Sequence, residues 1–107
     1  MQAARESNPH RLLRLRIFSD SAGRLNRSLE EIQGELLVVP QITLTADVHK
    51  GHRPSFHTCA QPERAGELFG EFLKIVRGSY PKTQSGVFQA QMLVRLENDG
   101  PITLILE

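Results

Sequence analysis

The clearest periodicity along the chain follows Pro62. Ala65, Leu68, Phe69, Phe72, Ile75 and Val76 recur at steps of three and four, which places them on one stripe of an α-helix. Glu63, Arg64, Glu67, Glu71, Lys74 and Arg77 take the opposite side. Pro62 suits a first helical turn, and Gly78 and Pro81 end the pattern. Gly66 and Gly70 each disfavour the helix by about 1 kcal/mol relative to alanine, a penalty that close packing on a sheet would explain. Residues 36–45 give the strongest strand signal. Leu36-Leu37-Val38-Val39 is apolar on both faces, so cover is expected on both sides. Pro40 lacks an amide donor, so pairing should reach an edge, bulge or stop there. Beyond it, Ile42 and Leu44 alternate with Gln41, Thr43 and Thr45.

Residues 87–97 form a further expected strand, with Met92, Val94 and Leu96 alternating against Leu93, Arg95 and Glu97. Asn98-Asp99-Gly100-Pro101 is a tight turn, and residues 102–106 run back as the last strand. Near the start, Ser7 or Asn8 caps a short helix with Pro9 in its first turn and Leu12, Leu13 and Leu15 on its apolar side. Residues 16–18 turn into a strand and residues 19–23 into a turn, while residues 47–58 are a polar loop. This order predicts an α+β domain in which a helix covers an antiparallel or mixed sheet.

The 107 residues suffice for one domain, residues 1–107, with a modest core. No apolar run approaches the ~20 residues that cross a bilayer, and residues 1–9 lack the apolar centre of a secretory signal. The single cysteine, Cys59, forms no internal disulfide, and the default compartment is the reducing cytoplasm. The net charge of +1 hides an uneven distribution, because residues 1–28 hold six arginines against Glu6 and Asp20. Such a basic end offers itself to phosphate, or is simply a solvated arginine face.

Two segments change the picture together. Pro40-Gln41-Ile42-Thr43-Leu44 and Asn98-Asp99-Gly100-Pro101-Ile102-Thr103 resemble the two signature motifs of the D-aminoacyl-tRNA deacylases, Ser-Gln-Phe-Thr-Leu and Asn-x-Gly-Pro-Val-Thr. Leu15-Arg16-Ile17-Phe18, residues 34–39, residues 50–56 and Gly86-Val87-Phe88 support the match, which runs from about Leu13 to Glu107. The resemblance implies a cofactor-free and metal-free homodimeric hydrolase that proofreads translation. Its substrate is the ester of a D-amino acid, or of glycine mischarged on alanine tRNA, at the 3′ acceptor end. In such enzymes the Gly-Pro peptide is cis and walls off the partner's pocket against L-amino acids, which assigns Gly100 and Pro101 to substrate binding. A rigid backbone wall rejects one chirality by sterics alone.

In that family the first motif holds the terminal adenosine and the ester, so the resemblance assigns Pro40 to the binding residues and Gln41, Ile42 and Thr43 to the catalytic ones. Phe88 matches an aromatic that packs on the adenine, a contact typically worth about 1–3 kcal/mol, or is a core phenylalanine. Lys50 and Arg53 are either contacts to the acceptor end or plain surface charges. A nucleophilic Thr43 needs a neighbouring base, and no histidine, lysine or carboxylate is close to it in the chain. Backbone amides near Ile42 and Thr43 acting as oxyanion donors are therefore favoured, with the tRNA's own 2′-hydroxyl activating water.

The chain departs from the family pattern in three places. Residues 1–9 stand where the family carries a Gln-Arg-Val strand and a further hairpin, which implies an N-terminally truncated fold. Pro40 replaces serine, as in the sister branch that clears L-alanine from threonine tRNA. Gln89 and Gln91 replace smaller residues and would narrow the pocket. A non-catalytic remnant that binds acceptor ends, and the sister activity on L-alanyl-tRNA, stay open as alternatives. His49, His52, His57 and Cys59 fall within eleven residues, but their spacing is no standard zinc pattern. Cys59 reads as a small packing residue, and Glu63, Glu67 and Glu71 as a solvated face.

Overall fold

A computed structural model describes residues 8–57, 59–100 and 102–106. In chain order these are helix α1 (Asn8–Arg14), strands β1 (Phe18–Ser19) and β2 (Leu25–Arg27), a one-turn helix α2 (Leu29–Ile32) and strand β3 (Leu36–Val38). A 3-10 turn (Ile42–Thr45), helix α3 (Pro62–Ser79) and strand β4 (Thr83–Ser85) follow. β1 and β2 pair antiparallel, and β3 and β4 pair parallel in the register Leu36↔Thr83, Leu37↔Gln84, Val38↔Ser85. A parallel pair needs a crossover, and α3 supplies it. The α+β class stands, but the expected sheet is two separate two-stranded pieces.

Local chemistry explains where the elements start and stop. Ser28 and Glu31 form a reciprocal capping box on α2: the Glu31 amide donates to Ser28 Oγ (3.2 Å) and the Ser28 amide to Glu31 Oε1 (3.0 Å). Gln33 closes that helix in the left-handed region at φ 55°. α3 begins with Pro62, whose missing amide would have had no partner in the first turn. It runs through Gly78 to Ser79 and ends where Tyr80 turns extended (φ −142°), the conformation favoured ahead of Pro81. α1 starts at Asn8 with Pro9 buried, so the divergent N-terminal segment expected over residues 1–9 is ordered helix at its last two positions.

The buried centre joins the helices to the parallel pair. Leu13 (1 % exposed), Leu29 and Tyr80 form it, with Phe18 and Leu36 packed alongside, while Val76 (0 %) is buried on α3. The Tyr80 hydroxyl donates to the Gly34 carbonyl, and Thr83 Oγ1 donates to the Tyr80 carbonyl at 2.6 Å. Lys82 Nζ reaches the Gln33 carbonyl (3.1 Å), and the Leu36 amide reaches the Lys82 carbonyl (3.0 Å). These bonds fasten the segment after α3 to the one before β3 and so fix the strand register.

Three sequence expectations fail, each for a physical reason. Strand β3 stops at Val38; past Pro40 the chain folds into the 3-10 turn instead of alternating to Thr45. Leu37 is 61 % exposed, because among the described residues nothing covers the second face of β3. Residues 87–97 and 102–106 are not strands. The described residues from 91 onward make no backbone hydrogen bond to one another or to the rest of the described chain. Their alternating pattern is real, yet a strand exists only as one member of a pair. Leu93 (79 %) and Ile105 (89 %) accordingly lie in the open. On α3 the predicted stripe is only partly used, since Leu68 and Ile75 are exposed and Leu73, on the opposite flank, is half-buried. The radius of gyration is 16.1 Å, against roughly 13 Å for a compact domain of this length.

Leu13→Ala should cost about 2–5 kcal/mol in chemical denaturation, whereas Leu37→Ala should change stability by no more than about 0.5 kcal/mol. Equal losses at the two positions would contradict this core. Two carboxylates report on their turns. The Arg24 amide foremost holds Asp20 below its ordinary value of 3.8, and the His49 amide does the same for Asp47. A lowered folded pKa means stability that is present above pH 3.8 and lost as pH falls through the folded value. Carboxyl titration by NMR should therefore give both groups midpoints below 3.8; midpoints at or above that value would refute the turn geometry.

Candidate active site

The parallel pair sets the site. After Val38, β3 runs into Pro40 and the 3-10 turn; after Ser85, β4 runs into Gly86, Val87 and Phe88. The Gly86 amide donates to the Val38 carbonyl at 2.8 Å, extending the ladder by one bond. The two chains thus leave the carboxyl ends of neighbouring parallel strands side by side, the place where open sheets with helical crossovers hold ligands. Between them lies a cleft of about 150 Å³ lined by Pro40, Gln41, Ile42, Thr43, Phe88, Gln89, Ala90 and Met92.

Within the cleft, Gln41 Nε2 donates to Thr43 Oγ1 at 2.5 Å. No histidine, lysine or carboxylate among the described residues bonds to that hydroxyl, and an amide nitrogen cannot take its proton. The Ile42 and Thr43 amides stand at the start of the 3-10 turn, ahead of the first carbonyl of the helix, and no described carbonyl receives them. Behind the turn, Thr45 Oγ1 donates to the Ile42 carbonyl (3.0 Å) and lies 2.9 Å from Cys59 Sγ. Cys59 Sγ is itself 3.7 Å from that carbonyl. Cys59 is thus more than the filler expected of it: it backs the turn that carries Ile42 and Thr43.

Phe88 stacks on Phe69 of α3, with ring centroids 6.3 Å apart and planes inclined by 24°. It also lies on Gly66, where an added Cβ would approach the Phe88 ring to 3.2 Å. The glycine expected to pack on a sheet therefore packs on an aromatic from the loop after β4, and Gly70, expected to do the same, faces open space. Phe69, Met92 and Ala90 were not singled out by the sequence; the disfavoured Gly66 in a strong helix was the available signal. Gln89 lines the cleft with φ 63°, while Gln91 is exposed and does not line it.

The second motif lies apart. Gly100 is exposed, has φ 138° and does not line the cleft of its own chain, and Pro101 lies outside the described residues. Lys50 and Arg53 are exposed in the polar loop, whose ends pair through Asp47 and Ser55. There His49 Nδ1 lies 2.7 Å from Asp47 Oδ1, and His57 Nδ1 lies 2.6 Å from Ser55 Oγ. Among the described residues no three His, Cys, Asp or Glu side chains converge as metal ligands. No helix there is long and apolar enough to cross a membrane. A wider cavity of about 490 Å³ opens over β3 and β4, lined by Glu35, Leu36, Leu37, Pro81 and Lys82 among others.

Residues 2–107 match the sequence profile of the family described as D-Tyr-tRNA(Tyr) deacylase. The chain belongs to that family. It is 50% identical over 93 residues to a D-aminoacyl-tRNA deacylase from Desulfitobacterium hafniense, covering 87% of this chain and 62% of the relative. It is 50% identical over 98 residues to one from Pseudomonas entomophila, covering 92% of this chain and 68% of the relative. The chain thus spans a little under two thirds of the length of the Desulfitobacterium protein. Its backbone resembles a solved structure of the c-Myc DNA Unwinding Element Binding Protein, with a TM-score of 0.83 and 37% identity over 92% of this chain and 68% of that one. The deacylase fold is therefore retained across this span.

The two helix glycines separate packing from propensity. Gly70→Ala should stabilise the protein by roughly 0.5–1 kcal/mol, since it adds helix propensity in open space. Gly66→Ala should gain less or lose stability and shift the near-UV signal of the Phe69–Phe88 pair. The same gain at both positions, with unchanged aromatic signals, would show that Phe88 does not lie on Gly66.

Proposed function

We propose that the chain is a hydrolase that cleaves the ester between a D-amino acid and the 3′-terminal adenosine of tRNA, removing wrongly charged residues ahead of translation. The observation that carries this reading is the convergence of Pro40, Gln41, Ile42 and Thr43 with Phe88 in one cleft, brought from segments more than forty residues apart by the β3–β4 register. Membership of the deacylase family supports the reaction class. In this scheme Phe88 stacks on the adenine, and the free amides of Ile42 and Thr43 hold the carbonyl oxygen as it gains negative charge. Water adds to the carbonyl carbon, the bond to the ribose oxygen breaks, and that oxygen leaves with a proton. The neighbouring ribose hydroxyl is the group placed to relay it, since no base among the described residues bonds to Thr43.

Selection for the D-form is assigned to Gly100 and Pro101 of a second copy, in a homodimer. The exposure of Gly100 outside its own cleft, in a backbone conformation that residues with side chains avoid, supports that role. Action on charged tRNA supports a cytoplasmic location. A second reading, a non-catalytic domain that binds acceptor ends, is favoured by the small core, in which Leu13, Leu29, Val76 and Tyr80 are the buried apolar residues described.

Incubation with D-Tyr-tRNA, Gly-tRNA and mischarged L-Ala-tRNA, followed by measurement of ester loss, tests these readings. Loss from the first two, with Thr43→Ala retaining activity within about tenfold, is expected; a drop of the 10²–10³-fold size typical of a lost catalytic group would restore Thr43 as a chemical participant. Loss confined to L-Ala-tRNA would assign the sister activity, and a folded protein that cleaves none would support the non-catalytic domain.

A further inference from the structure

The arginines of the first quarter of the chain have no place in the cleft chemistry. We propose that α1 and the β1–β2 hairpin form a second RNA contact, an arginine face that holds the phosphodiester backbone of the acceptor stem. This rests on the deacylase reading, which brings tRNA to the protein, and adds a surface separate from the cleft. Residues 8–28 contain Arg11, Arg14, Arg16, Arg24 and Arg27, every one exposed, against a single acid, Asp20. On α1, Arg11 and Arg14 are one turn apart, on the side away from the buried Pro9 and Leu13.

Asp20 offsets only one of these five charges. Its carboxylate accepts the amides of Ala22 (2.8 Å) and Arg24 (3.0 Å) and closes its own turn. Arg16 is oriented by the neutral Asn26 side chain (3.2 Å) and Arg27 by the Glu31 backbone carbonyl (3.4 Å), so both keep their charge for a ligand. The first acids after the hairpin in the chain are Glu30 and Glu31, and Glu31 is tied to the Ser28 amide. α3 offers the contrast: Glu63, Glu67 and Glu71 are exposed there, and Arg64 is paired with Glu67 at 3.1 Å. A polyanion would be drawn to the α1 end rather than to the polar side of α3, where Arg64, Lys74 and Arg77 balance the three glutamates.

The spacing suits a stem behind a 3′ end. α1 meets α3 near its end, where His10 Nε2 lies 3.3 Å from Ser79 Oγ, whereas Phe88 rests on Gly66 near its start. Along the helix these points are roughly 20 Å apart at about 1.5 Å per residue. Exposed guanidinium groups spread over a helix and a hairpin fit a repeating anion better than a single one.

Fluorescence anisotropy with uncharged tRNA and with a CCA trinucleotide, each titrated across salt concentrations, tests the proposal. The triple variant R11Q/R14Q/R24Q should bind tRNA at least about tenfold more weakly and flatten the log–log salt dependence by about two, because each phosphate contact contributes roughly 0.7–0.9. Its CCA affinity and circular dichroism should match the wild type. The arginine-to-lysine triple should recover most of the slope, and K74Q on α3 should leave it intact. A glutamine triple with the wild-type slope, or a wild-type protein whose tRNA affinity ignores salt, overturns the proposal. Failure of the deacylase reading registers separately, as absence of ester loss in the wild type, which the salt slope does not require.

Discussion

The candidate cleft in this chain depends on three residue pairs. Leu36, Leu37 and Val38 lie parallel to Thr83, Gln84 and Ser85, and the register of that contact decides which residues meet beyond it. A slip of one position would move Thr43 relative to Phe88 by a full residue and reverse the faces of the strand. So short a ladder has little cohesion of its own. Its register is held from outside, by the Tyr80 hydroxyl on the Gly34 carbonyl, by Lys82 on the Gln33 carbonyl and by the packing of Leu13 and Leu29 on Tyr80. The core therefore contributes to function by fixing position: it sits at one end of the strands and determines what happens at the other.

Helix α3 was legible in the sequence because its period, its opening Pro62 and the Pro81 beyond it all agree. β3 was legible as far as Val38, and Pro40 announced that something would end there. β4 was not, since Thr83-Gln84-Ser85 has no apolar pattern and is a strand only because the bonds around Tyr80 and Lys82 lay it along β3. α2 was not expected from the sequence, and the capping box Ser28-Leu29-Glu30-Glu31 that marks it emerged with the structure. Residues 87–97 taught the opposite lesson: alternation records that two faces differ, and says nothing of whether a neighbour exists to pair with.

The site was legible by a different route. Nothing in the periodicity singled out Gln41, Thr43 or Phe88; their resemblance to a family pattern did, and the cleft brings the first motif and Phe88 together. What the resemblance could not supply was the support around them. Gly66 and Phe69 seat Phe88, Thr45 and Cys59 back the Ile42 carbonyl, and Met92 lines the cleft next to Gly86. These contacts depend on which side of α3 faces the loop after β4, a tertiary fact that local pattern does not encode. The charge distribution is the complement: the arginine excess was plain from the sequence, but only the fold places it toward the far end of α3 from the cleft.

The most direct measurement of the central claim is an NMR titration with a non-hydrolysable D-tyrosyl-amino-adenosine. If the β3–β4 register builds an ester-binding cleft, the amides of Gln41, Ile42, Thr43 and Phe88 shift together with one apparent affinity, while those of the β1–β2 hairpin stay still. Saturable shifts centred elsewhere, or shifts at Phe88 with none at Ile42 and Thr43, would contradict the account.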